Sequence, residues 1–314
     1  MKKTIHITFI HGIANKPTAE KLLLQWKNAL ASDFNGNEDD IDLDTKGITS
    51  SMIYWADVLY ENPLPELISK TLEIANENIE EDPTLDECGE DWRDKLNEEE
   101  RKFVDNIALK TSADVPDPLL NRELESKNDL ERVPIPWIFK KPLMAYFLRD
   151  VHHYLFNKKF SPRAGVSYFV QDEIRTRVIE ALNKVKVDNH IIVSHSMGTV
   201  IIYDCLKRVT ECPFVDTLIT IGSPLGLDEI QDKLSPEWTR FDGFPSKIKN
   251  LWINVYDGLD PVAMMDGNIE NDYKKNGEKV IRVIREDNWG TWRHDISKYL
   301  QMPLLRSELQ KLID

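Results

Sequence analysis

A serine, an aspartate and a histidine stand in this chain in an order that suits nucleophilic acyl transfer. The serine is Ser196, within Ser194-His195-Ser196-Met197-Gly198. An apolar run from His190 to Val193 precedes it, and a helix-like stretch from Thr199 to Arg208 follows. A sharp strand-to-helix turn forces one side chain into an exposed, strained position, and the residues two before and two after must be small so that the backbones can approach. Ser194 and Gly198 fill those places, with Ser194 standing where the pattern usually carries glycine. Ser196 is therefore the candidate nucleophile.

A serine hydroxyl needs a base within hydrogen-bond reach and a carboxylate behind that base. The chain has seven histidines, and when a nucleophile on a sheet is followed by its acid and then its base, only His294 lies far enough along. It sits in Trp289-Gly290-Thr291-Trp292-Arg293-His294-Asp295, read as a loop before the final helix. The acid is expected from Asp257-Gly258-Leu259-Asp260-Pro261-Val262-Ala263, at the end of an apolar run where catalytic groups of open α/β sheets gather. Asp260 is preferred because Pro261 fixes the chain beside it; Asp257 competes, with a turn or cap role as its alternative.

Acyl transfer also needs donors aimed at the oxyanion. The Met197 N–H, at the start of a helix, is one. The second is expected from the turn His11-Gly12-Ile13-Ala14, with Ile13 as donor. His11, Gly12, Trp137 and Phe147 are expected to border the substrate. No phosphate-binding loop appears, His152-His153 lacks the spacing of a metal-binding helix motif, and no cofactor is expected.

These side chains require a frame. Thr4 to Ile10 reads as a first strand and Ala19 to Leu30 as an amphipathic helix presenting Leu22, Leu23, Trp26 and Leu30. Further strands are expected over 52–56, 190–193, 217–221, 251–256 and 280–284. Helices are expected over 166–185, 199–209 and 296–312. Runs apolar on both faces, alternating with helices, predict an α/β class fold with a mostly parallel sheet flanked by helices. A single domain over 1–314 accommodates this, with a helical and acidic insertion over 61–162. Within it the stretch 77–100 is strongly acidic and reads as a solvated surface, while Met144, Phe147, Val151 and Leu155 share one helical face. That face is either a lid or acyl-binding wall, or a surface packed on the main sheet.

With 54 acidic against 40 basic residues the formal charge is −14, which opposes attraction to nucleic acid or to an anionic membrane. Three cysteines, irregularly spaced, read as free thiols, with Cys205 packed in a core. No run approaches the roughly 20 apolar residues that span a bilayer. The basic start Met1-Lys2-Lys3 leads into a strand and not into a cleavable signal, so a soluble cytoplasmic protein is expected, with peripheral membrane contact left open.

The motifs resemble those of the α/β-hydrolase superfamily, in its lipase and esterase branch. Phe9-Ile10-His11-Gly12 resembles the oxyanion loop, His195-Ser196-Met197-Gly198 the nucleophile elbow, and 292–294 the late histidine loop. A narrower similarity, to DDHD-domain phospholipases and related lipase-like hydrolases, is carried by residues 194–204, by Ile221-Gly222-Ser223-Pro224-Leu225-Gly226, and by 254–263. The resemblance implies an α/β-hydrolase fold, a triad of Ser196, Asp260 and His294, and hydrolysis of a carboxylic ester, small or lipidic, such as a phospholipid acyl ester. A thioesterase or peptidase would use the same triad. A non-catalytic binding protein on such a fold is the competing expectation, and oligomeric state is left open.

Overall fold

In the computed structural model the described residues are 3–32, 40–64, 90–112, 141–263, 267–290 and 293–314. Six strands form one sheet: β1 (Ile5–Ile10), β2 (Thr49–Ile53), β5 (Asn189–His195), β6 (Val215–Ile221), β7 (Ile248–Asp257) and β8 (Arg282–Glu286). Every pairing in it is parallel, in the order β2-β1-β5-β6-β7-β8. A separate antiparallel pair, β3 (Lys159–Phe160) and β4 (Tyr168–Phe169), lies outside this sheet. The helices are α1 (Ala19–Ala31), α2 (Glu98–Ser112), α3 (Lys141–Leu155), α4 (Val170–Lys184), α5 (Met197–Arg208), α6 (Asp228–Leu234), α7 (Ile296–Gln301) and α8 (Pro303–Ile313).

Parallel strands buried on both faces explain the continuous apolar runs. One face carries Ile10, Ile192 and Leu218, covered by Val178 of α4, Val200 and Ile201 of α5, and Ile230 of α6. The other carries Ile7, Phe9, Ile191 and Ile253, covered by Trp26 of α1, Tyr299 of α7 and Leu309 of α8. Helices therefore cover the sheet on both sides.

The strand order creates a switch point. The chain passes from β1 outward to β2, then returns across β1 to lay β5 on its other side. Consequently α1 and α5, which follow the adjacent strands β1 and β5, lie on opposite faces of the sheet. This carboxyl edge, at the switch point, is where ligands of open α/β sheets generally bind.

Strand β7 opens three residues before the expected 251, β8 lies two residues later than the expected 280–284, and three further boundaries differ for a physical reason. The helix expected over 296–312 is two helices, because Pro303 has no N–H to donate and its ring would collide with the preceding turn; it instead starts α8. The strand near residue 52 begins at Thr49 and ends at Ile53, and Ala56 opens a 3-10 turn. Helix α4 begins at Val170 because Tyr168 and Phe169 pair with β3.

Within 61–162, Phe147, Val151 and Tyr154 of α3 are fully buried in the same hydrophobic cluster as Val104 and Ile107 of α2 and the residues of α4 and α5. This face of α3 is packed into the main body. Tyr154 donates to Asp204 Oδ2 (2.7 Å), and Arg175 reaches both Asp204 oxygens (2.7 Å each). Arg208 adds a contact to Oδ1 at 3.1 Å. A buried carboxylate met by two guanidinium groups and a phenol ties α3 and α4 to α5. No helix among the described residues is long and apolar enough to cross a membrane.

Candidate active site

Ser196 links β5 to α5 with φ 54° and ψ −129°. A positive φ at a serine costs about 1–3 kcal/mol and persists only where surrounding bonds overdetermine it. Here they do. Ser196 N donates to Ile221 O (2.9 Å), while Ser196 O accepts from Thr199 N (2.9 Å) and Thr199 Oγ1 (2.6 Å). The Ser223 hydroxyl lies 2.7 Å from Thr199 Oγ1, so residues 221–223 clamp the turn from β6.

The close approach that demanded small residues is visible in distances. A Cβ on Gly198 would stand 2.6 Å from His11 O and 2.7 Å from Ile10 O. One on Gly12 would stand 2.6 Å from Ser196 Cβ and 3.2 Å from Ser196 Oγ. The loop after β1 thus lies directly against the serine. Ser196 Oγ is buried and meets no hydrogen-bond partner among the described residues.

That loop is held from two sides. His11 Nε2 accepts from Trp55 N (3.0 Å), Trp55 Nε1 donates to His11 O (2.9 Å), and the two rings stack at 4.8 Å. Because Nε2 accepts, the proton sits on Nδ1 and donates to Gly12 O (2.8 Å). Burial, assisted by the charge of Lys16, pushes this imidazole down to about 3, so it stays neutral. His11 therefore shapes the loop from within, with both ring nitrogens spent on backbone. On the other side Ala14, at φ 67°, donates its N–H to Asp150 Oδ2 (2.9 Å) on α3, where Tyr60 OH also donates (3.1 Å). Between these anchors lies Ile13. Neither its N–H nor that of Met197, the first residue of α5, is taken by a backbone acceptor among the described residues.

His294 Nδ1 lies 2.8 Å from both oxygens of Asp260. Asp260 Oδ1 also accepts from Val262 N (2.8 Å) and Ala263 N (3.2 Å), and Oδ2 from Tyr299 OH (2.8 Å). Burial alone would raise this carboxyl. The facing His294, through charge and hydrogen bond, together with the Val262 N–H and the Tyr299 hydroxyl, outweighs it and holds Asp260 below the usual carboxylate range.

Asp257 has a different place. Its Oδ1 accepts from Leu259 N (2.6 Å), and its Oδ2 from Asn288 N (2.5 Å) and Arg293 Nη1 (3.2 Å). Asn288 Nδ2 donates to Arg293 O (2.7 Å), closing a buried brace around the loop that ends in His294. Burial raises the Asp257 carboxyl in spite of Arg293, the opposite direction to Asp260.

His195 connects the two halves of the site. Its Nε2 donates to the His294 carbonyl (3.0 Å), and the rings lie 4.6 Å apart. Burial, then the neighbouring His294, holds His195 well below its ordinary value, so it is neutral. Ser196 thereby neighbours a residue in direct contact with the His294 loop.

Sequence reasoning did not assign roles to Tyr299, Arg293 or Asp150. A tyrosine on the buried face of the helix that His294 leads into was the available signal for the first. Phe147 is buried in the core cluster, and Trp137 lies outside the described residues. Among the described residues no group of three or more histidine, cysteine, aspartate or glutamate side chains could hold a metal ion. The site is that of an α/β protein with a parallel sheet, its candidate polar groups gathered at the carboxyl edge. No family model matches the chain, and no curated protein matches it in sequence.

Proposed function

We propose that this chain is a serine hydrolase of the α/β-hydrolase type that cleaves carboxylic esters through an acyl-enzyme. The observation that carries the reading is the 2.8 Å contact of His294 Nδ1 with Asp260, in a loop whose His294 carbonyl accepts from His195, the residue before Ser196 with its φ of 54°. A carboxylate on Nδ1 fixes the imidazole tautomer that leaves Nε2 as the base. Ser196 Oγ attacks the acyl carbon while His294 Nε2 takes its proton. The Met197 and Ile13 N–H groups receive the oxyanion. His294 then gives the proton to the departing alkoxide, and water, deprotonated by the same nitrogen, releases the acid and restores Ser196. The fold supports the reading too, since loops after β1, β5, β7 and β8 supply these groups from one edge of the sheet.

The substrate reading is a carboxylic ester, with a lipid acyl ester as its most specific form. A series of 4-nitrophenyl esters of increasing acyl length tests both levels. The expected result is a burst of nitrophenolate matching the enzyme concentration, followed by steady turnover, with preference for long chains if the acyl group is lipidic. Turnover confined to acetate and butyrate would exclude the lipid form, and absence of turnover at every length would exclude the esterase.

A further inference from the structure

We propose that Tyr299 is a positioning residue for this reaction, its hydroxyl passing to Asp260 the polarisation it receives from the Asp257 amide and so fixing the carboxylate as the acceptor for His294. The inference rests on the reading of Ser196, Asp260 and His294 given above.

The hydroxyl is engaged on both sides. Asp257 N donates to Tyr299 OH at 2.8 Å, and Tyr299 OH donates to Asp260 Oδ2 at 2.8 Å. A hydroxyl that accepts from an amide becomes a stronger donor, and chained hydrogen bonds strengthen one another where water is excluded. Water is excluded here, because Tyr299 and Asp260 are both fully buried. The phenol cannot act as an acid or base in its own right, since burial followed by the charges of Asp260 and Asp257 pushes it far above its ordinary value. It remains a neutral donor throughout the working range.

The place of the ring adds a second effect. Asp260 Oδ1 is already fixed by Val262 N and Ala263 N, so Tyr299 is the partner that, beside His294 itself, fixes Oδ2. Tyr299 sits on α7, the helix entered directly from His294, and its ring lies 6.5 Å from that of His195. The donor that aims the carboxylate and the loop that presents the imidazole therefore move as one piece.

The charged and titratable groups facing this pair are few and fixed. His294 faces Asp260 from the loop, and Arg293 faces Asp257 at 3.2 Å. His195, on β5, is held neutral by burial. Glu286, paired in register with Asp257 across β7 and β8, is pushed by burial up to about 7. Its titration is common to the wild type and a Tyr299 variant, so a difference between their profiles reports on Asp260 and His294.

The test is the pH dependence of kcat/KM for 4-nitrophenyl butyrate. Tyr299→Phe keeps the ring and removes the donor, leaving a carboxylate with higher proton affinity. The acidic limb is expected to move upward by about half to one pH unit, less than the full effect of a lost hydrogen bond to a charged group because His294 feels it through Asp260, with kcat lowered about tenfold and KM unchanged. Installing 3-fluorotyrosine at position 299 keeps the hydroxyl, makes it a better donor, and should move the limb downward. The two opposite shifts separate positioning from mere structural support, which would lower the folded fraction and leave both limbs in place. Unmoved limbs in both proteins would overturn the role of Tyr299 while leaving the hydrolase reading intact. Wild-type protein inactive on every ester would overturn that reading and this inference with it.

Discussion

Asp260→Asn is expected to lower kcat for a 4-nitrophenyl ester by about 10⁴-fold with little change in KM. The size follows from how completely the structure commits the two carboxylate oxygens. Oδ1 accepts two backbone N–H groups, so the asparagine carbonyl is held there and its amide NH₂ is turned toward His294 and Tyr299. A donor now meets Nδ1, and the imidazole answers by moving its proton to Nε2. That nitrogen can then give a hydrogen bond to Ser196 but cannot take its proton. KM should hold because Asp260 is fully buried behind the histidine and is not placed to touch substrate. Asp257→Asn makes the contrast, since it loosens the Arg293 brace without reversing the tautomer and should cost far less. Steady-state kinetics on both variants decide the matter. A kcat for Asp260→Asn within tenfold of wild type, or a larger loss at Asp257, would contradict the assignment.

Gly12→Ala is expected to cost about 10²–10³-fold in kcat while the protein remains folded. The new methyl would stand 2.6 Å from Ser196 Cβ and 3.2 Å from both Ser196 Oγ and His195 Nδ1. Ser196 cannot retreat, because its amide and carbonyl are bonded to Ile221 and Thr199. The loop must therefore lift. His11 resists through its stack on Trp55 and Ala14 through Asp150, so the displacement concentrates on Gly12 and Ile13. The Ile13 N–H is then moved off the proposed oxyanion position, and the expected loss is that of one preorganised donor. Turnover measured beside a thermal unfolding curve separates this from global damage. Unchanged turnover in a folded Gly12→Ala protein would show that the loop has no part in catalysis.

The alternation of strands and helices was legible because the inner strands β5 and β6 are buried almost throughout and so read as apolar runs, whereas the edge strands β2 and β8 are polar and partly exposed. The Ser196 turn was legible for a steric reason, since two backbones cannot approach around a strained residue unless its neighbours are small. Choosing between Asp257 and Asp260 was harder. Both close the same strand in the same loop, and only the fold reveals that one faces His294 while the other faces Arg293. His11 shows the opposite difficulty. Its place beside Gly12 in the turn after the first strand suggested contact with a substrate, whereas its nitrogens serve Gly12 O and Trp55 N, a bond to a residue 44 positions away that no local pattern announces. Tyr299 escaped for a related reason, because helical periodicity marks it as apolar and is blind to a hydroxyl at the edge of the buried face. Pro303 was a readable break, and the apolar period on either side of it masked the signal.

The central proposal is that Ser196 is a nucleophile activated through His294 and Asp260. Intact-mass analysis after exposure to a fluorophosphonate measures this directly, because attack by Ser196 Oγ forms a serine–phosphorus bond and expels fluoride. One adduct per chain is expected, mapped to the peptide carrying Ser196, absent from Ser196→Ala and strongly slowed in His294→Ala. Folded wild-type protein that takes up no adduct, or an adduct that persists in Ser196→Ala, would contradict it.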